Sequence, residues 1–208
     1  MNQQQTVFIV DDDEGIREGL ALLLATVDLQ FELYESAVEF LDAYTESKSG
    51  CLLLDIRMPR MTGLDLQVKL NELGSRIPII FITGHGDIPM AVEAMRRGAL
   101  DFIRKPFREQ DLLDRINDAL EFEAGRRERK NTHQHAIDRI AALTEREREV
   151  FFRVAEGDMN KAIGFDLGIS ERTVEVHRSQ VMKKLGVRTL AQLVRVKIES
   201  ETIRDFPG

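Results

Sequence analysis

Cys51-Leu52-Leu53-Leu54-Asp55 is a run of four apolar residues that ends in a carboxylate. A short run that is apolar at every position, not at every second one, reads as a strand buried on both faces. On either side of it, Thr6–Val10, Leu29–Tyr34, Pro78–Ile82 and Ala99–Ile103 read as strands too. Helical spacing of apolar residues fills the intervals at Ile16–Val27, Ala37–Tyr44, Leu64–Leu73 and Ile88–Arg97, and follows the last strand at Gln110–Phe122. Alternation of this kind predicts an α/β unit: a flavodoxin-like, doubly wound, five-stranded parallel sheet. Ligands of such sheets bind at the carboxyl ends of the strands.

Those ends carry the polar chemistry. Val10 leads into Asp11, Asp12 and Asp13, Leu54 into Asp55, Ile82 into Thr83, and Ile103 is closely followed by Lys105 and Pro106. In a parallel sheet all of these face one edge. Clustered carboxylates repel, and without a counter-charge one of them stays protonated. Mg²⁺ resolves the conflict, because it prefers oxygen ligands, keeps several waters and needs only one or two carboxylates. A hydroxyl and an ammonium beside the metal suit a phosphoryl group, whose transfer depends mostly on positioning and charge neutralisation. Asp55 stands alone at the central strand end and is the candidate nucleophile for an aspartyl-phosphate.

Four motifs, Val-Asp-Asp-Asp-Glu at 10–14, Leu-Asp-Ile-Arg-Met-Pro-Arg-Met-Thr-Gly at 54–63, Ile-Thr-Gly-His-Gly-Asp at 82–87 and Lys-Pro-Phe at 105–107, together resemble a bacterial receiver domain over residues 5–122. The resemblance implies phosphorylation of Asp55, with Mg²⁺ bound by Asp12 directly, by Asp11 through water, by Asp55 and by the backbone carbonyl of Arg57. It implies that Thr83 and Lys105 hold the phosphoryl group, that Phe102 turns inward when Thr83 moves, and that Lys105–Pro106 is cis. Plainer roles stand beside these. Asp13 and Glu14 suit the start of a helix, where the dipole favours acids. His85 reads as a loop residue near the pocket that tunes phosphate loss, as the Arg57 side chain could. Phe102 could be ordinary core, and Met58 and Pro59 shape a loop.

The rest of the chain has a different character. Residues 1–120 carry 12 Lys/Arg and 21 Asp/Glu, whereas residues 121–208 carry 17 and 15. Between Val176 and Ile198 there are six basic residues and no acid. An acidic half joined to a locally basic one suggests two jobs, with domains at 1–122 and 143–208 and a partly helical linker at 123–142. In the second domain Thr144 and Glu147 form a capping-box signature. Asn160–Leu167, the turn Gly168-Ile169-Ser170 and a helix from Glu171 to Leu185 make a helix-turn-helix pattern. On the second helix Val174, Val181 and Leu185 share one side, and Arg172, Val176, Ser179 and Lys183 the other. A valine exposed among polar residues suits a major groove, where apolar groups meet thymine methyls. Arg178, Lys184 and Arg188 flank that face as phosphate contacts.

Residues 143–198 resemble a LuxR-type DNA-binding domain of four helices, through Thr144, Glu147, Glu149, Val150, Asn160-Lys161, Ile163, Leu167, Ile169-Ser170, Thr173-Val174, His177, Met182 and Leu185-Gly186-Val187. Receiver, linker and LuxR-type domain in that order resemble the FixJ/NarL group. This implies base contacts around Glu175, Val176 and Ser179 and backbone contacts from Lys161, Thr173 and Lys183. It implies a sensor histidine kinase as phosphodonor, a homodimer formed on phosphorylation through the face around Ile88–Phe107, promoter DNA as ligand, and RNA polymerase as partner of an activator. Ala162, Gly164 and Phe151 depart from the usual residues, and Gly164 would cost about 0.5–1 kcal/mol of helix stability. A magnesium-dependent phosphohydrolase is the rival reading, but Arg57 stands where such enzymes want a second acid. A phosphate-independent DNA binder is the third. Met1–Gln5 has no secretory pattern, no stretch approaches a membrane span, and the single Cys51 excludes an internal disulfide, so a reducing cytoplasm is expected.

Overall fold

A computed structural model describes residues 5–84 and 88–201. The expected loop residue His85 lies outside them. The chain divides into two compact units, Met1–Arg126 and Arg127–Gly208.

In the first unit, β1 (Thr6–Val10), β2 (Gln30–Tyr34), β3 (Gly50–Asp55), β4 (Ile79–Thr83) and β5 (Asp101–Arg104) form one sheet in the order β2-β1-β3-β4-β5. Every neighbouring pair is parallel. The strands alternate with α1 (Glu14–Thr26), α2 (Ala37–Ala43), α3 (Gly63–Glu72) and α4 (Ile88–Arg96), and α5 (Glu109–Ala141) follows β5. Successive side chains along each strand point to opposite faces, and both faces are covered. Phe8, Val10, Leu52, Leu54 and Phe81 pack against Phe40, Leu66, Leu70 and Ala94 of α2, α3 and α4. Val7, Ile9, Leu53, Ile80 and Ile82 pack against Leu20, Leu24, Leu112 and Ile116 of α1 and α5. This two-sided burial is why β3 is apolar throughout.

Two glycines fit the chain around β3. A Cβ on Gly50, whose φ is +139°, would lie 1.8 Å from the Thr6 carbonyl oxygen. One on Gly63, where α3 starts, would lie 2.2 Å from the carbonyl oxygen of Asp55. Thr62 caps that helix in a reciprocal capping box with Asp65.

Two expected elements differ. The fifth strand starts at Asp101 rather than Ala99, because Gly98, at φ +89°, turns the chain and the Ala99 N–H still bonds to Ala94 at the end of α4. The segment read as a partly helical linker is helical up to Ala141, as α5 runs unbroken from Glu109 to Ala141. Its Glu, Arg, Lys, Gln and Ala residues favour helix without an apolar stripe.

The second unit contains α6 (Glu145–Ala155), α7 (Asn160–Leu167), α8 (Glu171–Lys184) and α9 (Leu190–Glu201). Val150, Phe151, Val154, Ile163, Val174, Val181, Leu185, Leu193 and Val196 form its core, together with Ala136 and Ile140 from the end of α5. The expected seam of Val174, Val181 and Leu185 is thus the buried side of α8. Gly168 ends α7 in the left-handed conformation and Ser170 caps α8 by accepting from the Thr173 N–H. Gly164 has a local reason: a Cβ there would lie 2.8 Å from the Ile169 carbonyl oxygen. What the glycine costs the helix, it returns as a closer approach of α7 to the turn.

Candidate phosphoacceptor site and nucleic-acid interface

The strand register brings the polar ends together. Val10 pairs with Leu54, so Asp11 and Asp55 emerge side by side from β1 and β3. Asp55 pairs with Ile82, and Thr83 with Arg104. The Lys105 N–H donates to the Thr83 carbonyl at 2.8 Å, which sets Lys105 at the same edge, and the Lys105–Pro106 bond is cis.

Lys105 joins the two carboxylates. Its ammonium lies 2.6 Å from Asp11 Oδ2 and 3.3 Å from Asp55 Oδ1. Asp55 Oδ2 accepts the Arg57 N–H at 2.6 Å, Asp11 Oδ1 accepts the Asp13 N–H at 3.0 Å, and Arg17 donates to the Asp11 carbonyl at 2.7 Å. Asp11, Asp55 and Thr83 are buried, whereas Asp12 is exposed beside them. Asp13 caps α1 by accepting from the Ile16 N–H, and Glu14 lies in the first turn, which is the plainer of the roles open to them. Phe102 is half-buried against the core on the α2–α3–α4 face.

Burial raises the Asp55 carboxyl above its ordinary value. Lys105 draws it down, the charge of Asp11 pushes it up, and the Arg57 N–H draws it down again. One ammonium between two buried carboxylates leaves negative charge over, which suits a hard dication. Among the described residues no three His, Cys, Asp or Glu side chains close into a metal cage. Mg²⁺ needs only one or two carboxylates beside its waters. The Asp11–Asp55 pair, with Asp12 next to it, is a donor set of that open kind.

In the second unit Arg172, Glu175, Val176, Ser179 and Lys183 are exposed on α8, with Val176 at 55%. Glu171, Arg172, Glu175, Val176 and Ser179 line a shallow concavity. Thr173 is half-buried beside Ser170, and Lys161 is exposed on α7. Two of the flanking cations have partners within the protein. Lys184 pairs with Glu147 Oε2 at 2.6 Å, and Arg178 donates to Asn160 Oδ1 at 3.2 Å. The sequence marked Glu147 only as a capping residue. Its second partner lies 37 positions away, beyond the reach of a local pattern.

Comparison with known proteins accounts for both units. Residues 7–117 match the family model described as response regulator receiver domain, and residues 141–197 match bacterial regulatory proteins, luxR family. The response regulator protein TmoT of Ectopseudomonas mendocina is 46% identical over 206 residues, covering 99% of this chain and 92% of TmoT. The transcriptional regulatory protein FixJ of Rhizobium meliloti is 43% identical over 193 residues, covering 93% of this chain and 95% of FixJ. The structure of response regulator StyR superposes with a TM-score of 0.87 at 46% identity, covering 95% of this chain and all of that one. No helix among the described residues is long and apolar enough to cross a membrane. The chain therefore belongs to the two-component response regulators, as a transcription regulator that joins a receiver domain to a LuxR-type DNA-binding domain.

Proposed function

We propose that Asp55 accepts a phosphoryl group from a sensor histidine kinase and that its phosphorylation controls how α8 engages promoter DNA. The observation that carries this reading is the Lys105 ammonium shared by Asp11 and Asp55 at the end of the central strand. It marks a place where an added anion meets a fixed cation. The acceptor oxygen is Oδ1, which faces Lys105, because Oδ2 is held by the Arg57 N–H. Thr83 and Lys105 hold the phosphoryl oxygens. Asp11, Asp12, Asp55 and the Arg57 carbonyl would hold Mg²⁺, which when bound neutralises charge on the phosphoryl oxygens. Thr83 and Phe102 carry the change from the pocket toward α4 and β5, whose surface pairs two copies of the receiver domain. Two recognition helices then reach half-sites about 34 Å apart. Lys161, Thr173 and Lys183 meet phosphates, and Arg172, Glu175, Val176 and Ser179 meet base edges. The dimer works in the cytoplasm and activates transcription with RNA polymerase.

Mass spectrometry after incubation with a small phosphodonor tests the reading. Wild type is expected to gain one phosphoryl group in Mg²⁺ and none in EDTA, and Asp55→Asn none in either. A gain by Asp55→Asn equal to that of wild type would move the acceptor elsewhere. Sustained multiple-turnover release of phosphate would mark a phosphohydrolase instead.

A further inference from the structure

Two cations of α8 that the sequence assigns to DNA are engaged within the protein. Lys184 holds Glu147, and Glu147 is only 6% exposed. The same Oε2 accepts the Thr144 N–H at 2.8 Å. One carboxylate oxygen therefore closes the start of α6 and grips the last turn of α8. A buried carboxylate that loses its cation becomes an uncompensated charge, so the grip is not easily released. Further along α8, Arg178 reaches Asn160, the first residue of α7. Lys183 and Lys184 are both exposed, but only Lys183 shares the side of α8 that carries Val176 and Ser179. Adjacent helical residues are set about 100° apart, which separates the outward Lys183 from Lys184 on the flank toward α6.

We infer that Lys184 is a positioning residue: clamped by Glu147, it fixes how α8 is presented to DNA and does not itself contact a phosphate, with the Arg178–Asn160 bond as a second tie. The inference rests on the DNA-binding role proposed for α8. It makes an opposite prediction from the contact model. If Lys184 were a phosphate contact, freeing it from Glu147 would strengthen binding. If it positions the helix, freeing it loosens the helix and weakens binding.

The test uses the full-length protein and a duplex selected from random sequence by the wild type, titrated across a range of salt concentrations. Glu147→Gln and Lys184→Met are each expected to weaken binding about tenfold, with the double variant no worse than either single one. The salt slope stays at the wild-type value in all three. Lys184→Arg, which keeps the clamp, restores affinity. Lys183→Ala, the contact control, lowers the slope by about one phosphate's worth. Circular dichroism at the titration temperature limits the comparison to folded protein, and the double variant leaves no unpaired charge if Lys184→Met fails to fold. Tighter binding or a steeper slope in Glu147→Gln would overturn the inference, as would a lowered slope in Lys184→Met. So would a lower Tm in Glu147→Gln with unchanged affinity, which is the mark of a merely structural pair. Selection of no duplex by wild type, with or without phosphodonor, would instead overturn the DNA-binding reading, and the positioning role with it.

Discussion

Glu147 is held below the usual carboxylate range, first by its hydrogen bond from Lys184 and then by the Thr144 N–H. A carboxyl lowered in the folded state adds stability that is complete above its unfolded value of about 4.3. That stability is lost as pH falls through the lower folded value. Protection of the Val150 and Phe151 amides, taken relative to their intrinsic exchange rates, is therefore expected to fall as pH drops below about 4.3 in wild type, and Glu147→Gln should remove this acid limb while lowering protection at neutral pH. An acid limb that persists in the variant would place the titration on another group. The residues of the candidate phosphoacceptor site were legible because each lies at or just past the end of an apolar run: the sequence places Asp11, Asp55, Thr83 and Lys105 at strand ends, and the register brings them together. Lys184 was not legible as a clamp, because helical angle shows which way a lysine leaves its own helix and not which residue waits there.

Among the elements, α5 is the one whose extent the pattern concealed. Leu112, Ile116, Ala119 and Leu120 give its first part an apolar side, and Ala136 and Ile140 give its last part another. Between them only propensity speaks, and Gly125 reads there as a break. The structure keeps the helix through Gly125, where an added Cβ would meet nothing within 4 Å. Gly125→Ala is therefore expected to stabilise α5 by about 0.5–1 kcal/mol, measured as slower amide exchange at residues 122–130. Faster exchange would mean that the glycine serves a bend. β5 shows a different limit. Ala99 and Leu100 are as apolar as a strand requires, but a hydrogen bond back to α4 claims the first of them, and composition does not register such a bond.

The two units divide the chain's charge unequally, with net −10 over residues 1–126 and net +3 over residues 127–208. This asymmetry announced a division of labour before any fold was assigned, and the two compact units carry it. If Asp55 governs DNA binding through pairing of two copies, phosphodonor and Mg²⁺ should tighten full-length protein on a two-half-site duplex by about 100-fold or more, the gain expected from linked binding. A single half-site should show little change, and Asp55→Asn none on either. Equal tightening on one and two half-sites, measured by titration, would exclude pairing as the source. The close approach of Gly63 to Asp55 reaches into the chain's inheritance. Every missense change in the Gly63 codon adds a Cβ, and a Cβ there meets the carbonyl of Asp55, the proposed acceptor, at 2.2 Å. In a saturation library selected for phosphate-dependent transcription, position 63 would hold a single letter although it touches neither phosphate nor DNA, because selection on the acceptor reaches its unreactive neighbour through the backbone.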